Sequence, residues 1–343
     1  MQRRLALAAL SALPAACTLT PQAPATGRVL TVARGESLAR AVAAATDGDT
    51  VALEPGDHRR QTAVVTQRHI TLKGAGGTAV LQADGAIAEG KALLVVRGGE
   101  VHIEDIEFRG ARAAPGNGAG IRFEQGRLQL VSCRFFDNEM GLLAANRPDA
   151  ELQVDDCDFG QAPRLPGTLK HLFYAGTIRR LVLRGSRFGD GWIGHLVKSR
   201  AQTNLIACNR IADGERGEAS YEIDLPNGGR SWVVGNLIAQ GPRPQNRALL
   251  AFGAEGPPHA GSRLVVAHNR FVNEALAPAA FVRWWPERLG TGATLQIVHN
   301  RFHGPALDGS WGSADDDNRL LPLAERPADG GQPACDPAWL PDD

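Results

Sequence analysis

Leu181-Val-Leu-Arg-Gly-Ser186-Arg-Phe188, Leu205-Ile-Ala-Cys-Asn209-Arg-Ile211, Val233-Val-Gly-Asn236-Leu-Ile238, Val265-Val-Ala-His-Asn269-Arg-Phe271 and Ile297-Val-His-Asn300-Arg-Phe302 are copies of one phrase. Two earlier copies read Leu128-Gln-Leu-Val-Ser-Cys133-Arg-Phe135 and Leu152-Gln-Val-Asp-Asp-Cys157-Asp-Phe159. Each is a short run of strand formers, then a small polar residue, then an apolar one. A β phrase recurring at a loose period, with insertions between copies, marks a solenoid. The unit is too rich in β-branched residues and glycine to be helical. A β-sandwich would not keep one polar slot in every copy. The expected fold is therefore all-β: a single-stranded, right-handed parallel β-helix, with right-handedness following the general preference of parallel crossovers.

One coil alone cannot bury its inward side chains, so coils stack at the ordinary strand spacing of about 4.8 Å. Equivalent residues then lie above one another. Asn209, Asn236, Asn269 and Asn300 are expected to form an internal amide ladder, with Ser186, Cys157 and Cys133 in the same slot of earlier coils. The Phe and Ile two residues later are expected to form an apolar column. Forty glycines, 21 prolines and 43% hydrophobic residues suit many turns around a long narrow core. The balance of 37 basic and 37 acidic residues, with pI near 7.1, argues against a nucleic-acid partner. A monomer is expected.

Residues 1–17 combine Arg3-Arg4, a short Ala/Leu run and Leu13-Pro-Ala-Ala16-Cys17, the pattern of an export signal with a lipobox-like end. The run is too short to span a membrane. Cys17 is the candidate lipid anchor, although Leu13 stands one place early, and ordinary cleavage near Ala16 is the alternative. The expected location is the periplasm or the outer membrane, as a lipoprotein, with membrane contact through that anchor alone. Residues 18–27 read as a tether, 28–303 as the β-helix with its amino-terminal cap, and 304–343 as an irregular carboxy-terminal segment. Cys133 and Cys157 fall in one slot of adjacent coils, as two buried thiols or a disulfide; Cys208 and Cys335 have no evident partner.

The stretch Glu36–Ala45 is amphipathic and fits a helix closing the open end of the solenoid. This strand–helix–strand opening resembles the amino-terminal cap of the pectate-lyase-like β-helix superfamily. A second phrase alternates with the first: Gly120-Ile-Arg-Phe123, Gly141-Leu-Leu-Ala144, His171-Leu-Phe-Tyr174, His195-Leu-Val-Lys198, Tyr221-Glu-Ile-Asp224, Leu249-Leu-Ala-Phe252 and Ala280-Phe-Val-Arg283. Laid in register, these make a second sheet. In its middle the residue types change from apolar to reactive, giving a column Tyr174, Lys198, Asp224 beside a column His171, His195, Tyr221.

Only four of the 37 cationic residues are lysines: Lys73, Lys91, Lys170 and Lys198. Lysine, unlike arginine, can act as a base when desolvated. β-Elimination of a uronate polymer needs a base, a group that neutralises the carboxylate, and an acid for the leaving oxygen. Lys198 is the candidate base, Arg200 or a metal the candidate neutraliser, and Tyr174, His195 or His171 the candidate acid. Trp192, Tyr221 and Asn227 are candidate substrate contacts. Glu222 and Asp224 are candidate calcium ligands, with no cofactor otherwise indicated. The bland alternatives are a surface ion pair between Lys198 and Asp224 and histidines packed at a turn.

Lys198-Ser199, with Asn204 downstream, resembles the lysine coil of family six polysaccharide lyases, the alginate-lyase and chondroitinase-B-like group. That resemblance implies a lysine base on a β-helix strand, an arginine one coil later, and an acidic polysaccharide as substrate. The match is specific over about a dozen residues, and the next coil, Tyr221-Glu-Ile-Asp224-Leu-Pro-Asn227, carries Asp224 where the family's arginine falls. Two other classes stay open. One is a non-catalytic carbohydrate-binding or cell-envelope scaffold that uses Trp192, Trp232, Trp284 and Trp285 as sugar platforms. The other is a uronate C5-epimerase.

Overall fold

The computed structural model describes residues 27–167, 169–327 and 335–341. The expected export segment and all of the tether except Gly27 lie outside the described residues. Three sheets, of eleven, nine and eleven strands, run side by side along the chain axis, each strand pairing in parallel with its equivalent in the next coil. This is the parallel β-helix that the repeated phrase predicts.

The phrase itself forms the first sheet, a tight corner and the third sheet. Thr203–Ala207 pairs with Arg230–Val234, and Arg210–Ala212 pairs with Leu237–Gln240. At the corner the residue before each polar slot turns into the left-handed region, as at Ser132, Asp156, Gly185, Cys208, Gly235, His268 and His299. That reversal tips the next side chain inward. The amide ladder closes there: the Asn236 Oδ1 accepts the backbone N–H of Asn209 at 2.9 Å, Asn269 accepts from Asn236 at 2.8 Å, and Asn300 from Asn269 at 2.9 Å. Asn318 adds a further rung beyond Asn300 at 3.0 Å. In earlier coils the Ser186 Oγ accepts from Cys157 N–H at 3.1 Å, and Cys157 Sγ accepts from Cys133 N–H at 3.4 Å. Cys133 and Cys157 are free, buried thiols.

Inside, Phe108, Phe135, Phe159 and Phe188 stack at 5.0, 4.5 and 4.8 Å between ring centroids, and Ile211, Ile238, Phe271 and Phe302 continue the column. Offset stacking of this kind adds to the burial each ring already contributes. The helix Leu38–Ala44, capped by Ser37 Oγ, sets Leu38 and Val42 into the open end of this core.

The sequence left Cys208 and Cys335 without partners; the structure joins them in a disulfide across 127 residues, Cα to Cα 5.4 Å. Nothing in local spacing pairs residues so distant; the tertiary path of the carboxy-terminal segment does. Trp339 stacks on His268 at 4.1 Å, and Leu340 packs against Val182, Leu205 and Ala207 on the outer face of the first sheet. The third sheet also gains a strand beyond residue 303, where Arg319–Leu321 pairs with Arg301–His303.

Candidate active site on the nine-stranded sheet

The second sheet carries the reactive residues on its outer face, because successive side chains of a strand point to opposite sides. Val197 and Ile223 point into the core, so Lys198 and Asp224 point out. Strand pairing places Tyr174 beside Lys198 and Lys198 beside Asp224, as the sequence predicts. The imidazoles of His171 and His195 lie 4.7 Å apart, and that of His195 lies 5.0 Å from the Tyr221 ring.

Lys198, only 6% exposed, sits between two carboxylates: its Nζ is 3.0 Å from Asp224 Oδ2 and 3.1 Å from Glu255 Oε1. Arg200 holds the other Glu255 oxygen, donates from Nε to the Tyr174 hydroxyl at 2.8 Å, and donates to Asn227 Oδ1 at 2.5 Å. Asn227 in turn donates to the Pro257 carbonyl at 2.7 Å, and His259 meets the Arg200 carbonyl at 2.9 Å. Asn227, expected as a substrate contact, therefore ties Arg200 to the loop that carries Glu255. Glu255 and His259 were absent from the sequence reading. They follow the strand Ala248–Phe252 in a loop whose path no periodicity announces.

Below the lysine, Ser199 Oγ donates to Asn204 Oδ1 at 2.6 Å, and Asn204 Nδ2 donates to the Ala201 carbonyl at 3.1 Å. This buried clasp shapes the turn that follows Lys198 and Arg200.

The electrostatics follow from burial. His171 is pushed down to about 3 by burial, with the Lys198 charge adding to it, and His195 is lowered well below its ordinary value for the same leading reason. Both imidazoles are neutral near pH 7. His195 Nε2 lies 3.3 Å from Asp224 Oδ2, and His171 Nδ1 accepts the His195 backbone N–H at 3.0 Å. Burial pushes Asp224 up to about 6 although Lys198 pulls the other way. Burial also works to raise Glu255, but its bonds from Arg200 and Lys198 outweigh that and hold it below its usual range. Tyr221 is raised by burial and by Asp224.

The calcium expectation does not fit. Glu222 is completely buried beside Asp213 rather than alongside Asp224, and burial raises its pKa strongly. Asp213 is itself occupied by the backbone N–H groups of Gly191 and Ala219, at 2.7 and 2.8 Å. Asp224 turns one oxygen, Oδ2, to Lys198 Nζ at 3.0 Å and His195 Nε2 at 3.3 Å. Among the described residues no three His, Cys, Asp or Glu side chains gather as a metal site.

The tryptophans are also less free than expected. Trp192 is half-buried with the Arg164 guanidinium 4.8 Å from its ring centre, and Trp232 lies on the first sheet beside the patch that Leu340 covers. Trp284 packs against the core, and Arg283 stands 5.0 Å over the Trp285 ring. A larger groove of about 860 Å³ lies along the first sheet, lined by His102, Gln129 and Gln153. Its charged rim is internally paired, as in Arg127–Glu151 at 3.1 Å and Arg127–Glu100 at 3.6 Å. It lacks the buried, perturbed cluster of the second sheet, which makes the latter the candidate site.

Among solved structures the chain is similar to the PL6 family alginate lyase AlyGC, at 17% identity and a TM-score of 0.53, covering 81% of this chain and 40% of the lyase. A point mutant of that lyase matches at 16% identity and the same TM-score, over the same shares. This chain has the parallel β-helix fold of those lyases. It spans about 40% of their length. No protein-family model matches it, and no curated protein does.

Proposed function

We propose that this β-helix protein acts on an acidic, uronate-containing polysaccharide by β-elimination. One observation carries the reading: a carboxylate, that of Glu255, is already held jointly by Lys198 and Arg200 beside Tyr174. A uronate carboxylate entering the same cradle displaces Glu255 and leaves its ring against Lys198. The AlyGC likeness agrees with such a substrate, alginate being the first polymer to try.

In this mechanism Lys198 Nζ removes the proton from the carbon next to the uronate carboxylate. Arg200 neutralises that carboxylate and lowers the cost of the charge that builds on it. The electron pair forms a carbon–carbon double bond, the bond to the bridging oxygen breaks, and the Tyr174 hydroxyl gives that oxygen its proton. Lys198 must be a free amine to begin. A bound sugar shuts water out around it, which favours the uncharged amine.

The disulfide between Cys208 and Cys335 supports export, since such bonds persist in oxidising compartments. Attachment through Cys17 is part of the same proposal.

The test is to incubate purified protein with alginate, polygalacturonate and chondroitin and to follow the ultraviolet absorbance of unsaturated ends. Absorbance should rise on one polymer, and both Lys198→Ala and Lys198→Arg should abolish it, because arginine keeps the charge but cannot surrender its proton. Full turnover in Lys198→Arg removes Lys198 as the base. An altered uronate configuration without new absorbance would mean epimerisation, and binding alone would leave the scaffold reading.

A further inference from the structure

The outward column that holds Lys198 is longer than its reactive centre. In register it runs Arg122, Leu143, Tyr174, Lys198, Asp224, Ala251, Arg283. The phrases read at their quoted ends put Phe123 and Phe252 on this column. The true pairing sets Arg122 and Ala251 there, and Phe123 and Phe252 turn into the core. A one-residue slip moves every side chain to the other face, so the sequence reading hid Arg122.

Arg122 stands three strands from Lys198, about 14 Å along the axis at ordinary strand spacing. Between them lies a depression of about 420 Å³ lined by Arg122, Leu143, His171, Tyr174, Asn117 and Asn146, among others. His171 and Tyr174 belong to both this depression and the candidate active site, so the two are continuous. Among the described residues Arg122 makes no ion pair, and its Nε is shielded from solvent without a hydrogen-bond partner. The nearby carboxylates are already engaged. Glu124 binds Lys91 at 2.6 Å and Arg97 at 3.4 Å, while Glu139 accepts the backbone N–H groups of Ala113 and Gly118. A guanidinium group with an unsatisfied, solvent-excluded N–H is costly, and a carboxylate can meet it with two parallel bonds.

We propose that Arg122 is the carboxylate anchor of a second uronate subsite, so that one acidic chain lies along the coil axis from Arg122 to Lys198. Leu143 offers an apolar floor for the intervening ring, and Asn117 and Asn146 offer amides for its hydroxyls. This rests on the acidic-polysaccharide reading above. It adds that recognition reaches beyond one sugar and favours longer chains.

The experiment is calorimetric titration of wild type, Arg122→Gln and Arg122→Lys with disaccharides and hexasaccharides of mannuronate, guluronate and galacturonate. Wild type should bind one hexasaccharide more tightly than its disaccharide. Arg122→Gln should lose about ten- to a hundred-fold in hexasaccharide affinity, with the disaccharide and the thermal midpoint unchanged. Arg122→Lys should fall between, because it keeps the charge but not the paired bonds; it also serves if the glutamine variant fails to fold. Equal hexasaccharide affinity in wild type and Arg122→Lys, or in wild type and a folded Arg122→Gln, overturns the subsite and leaves the proposed function standing. If wild type binds no uronate oligomer at all, both fall together.

Discussion

His171 shows how much one buried side chain fixes. Its imidazole is neutral in the folded protein, pushed down to about 3, whereas the unfolded chain takes up that proton near pH 6.5. Below 6.5 the unfolded state therefore binds more protons, and stability falls as pH drops towards 3, by up to about 1.4 kcal/mol per pH unit. Asp224 works the other way: raised to about 6, it favours the folded state as pH falls from 6 towards 4. Wild type shows the sum, and a substitution separates the terms. Urea unfolding of wild type and His171→Gln at several pH values should give a stability difference that shifts in favour of the variant between pH 6.5 and 4. A difference independent of pH would mean that His171 is not held neutral. The same neutral imidazole accepts the His195 backbone N–H and so ties the two neighbouring coils together at the site.

At the scale of the element, the corner after each first-sheet strand is what makes the coils repeat. It needs a left-handed residue and then a side chain that can both accept and donate. Asn236 does this in four directions: its Oδ1 accepts from the Asn209 backbone and side chain, and its Nδ2 donates to the carbonyls of Ile206 and Val234. Replacing it with leucine strands a buried backbone N–H on one side and buried carbonyls on the other. Asn236→Leu should cost about 3 kcal/mol or more, and Asn236→Ser less, since Ser186 fills the same slot natively and accepts its neighbour's N–H. Chemical denaturation reads both; a leucine variant as stable as wild type would remove the ladder from the account of stability. The apolar rungs behave differently. Phe, Ile and Leu interchange along their columns because burial is not directional, which explains why Phe188 is followed by Ile211 in the third sheet.

Over the whole molecule, the helix cap closes one end of the solenoid, and a disulfide ties the chain's other end to its flank. Cys335 anchors the carboxy-terminal segment to Cys208, and Trp339 and Leu340 cover part of the apolar outer face formed by Val182, Leu205 and Ala207. Because that face belongs to the first sheet, the segment is remote from Lys198. Cys335→Ser should lower stability by about 2–4 kcal/mol, expose the segment to protease, and leave turnover or glycan affinity as in wild type. An unchanged melting temperature and protease pattern would show that the covering segment holds without the bond.

What the sequence determined by itself is the stacking. In a parallel β-helix each coil meets only its neighbours, so the same slot must serve the same purpose in every coil, and the pattern survives in the chain as a repeat. The amide ladder, the phenylalanine column and the Tyr174–Lys198–Asp224 line were legible for that reason. The tertiary structure decided what has no period. Glu255 reaches Lys198 across 57 positions from a loop. Cys335 meets Cys208 by the path of a segment outside the repeat. Glu222 turns away from Asp224 because its slot in the coil is that of Leu172, Leu196 and Leu249, which face the core. Arg122 joined the reactive column only when the strand register was known, since a shift of one residue exchanges core and surface and no local spacing reveals it.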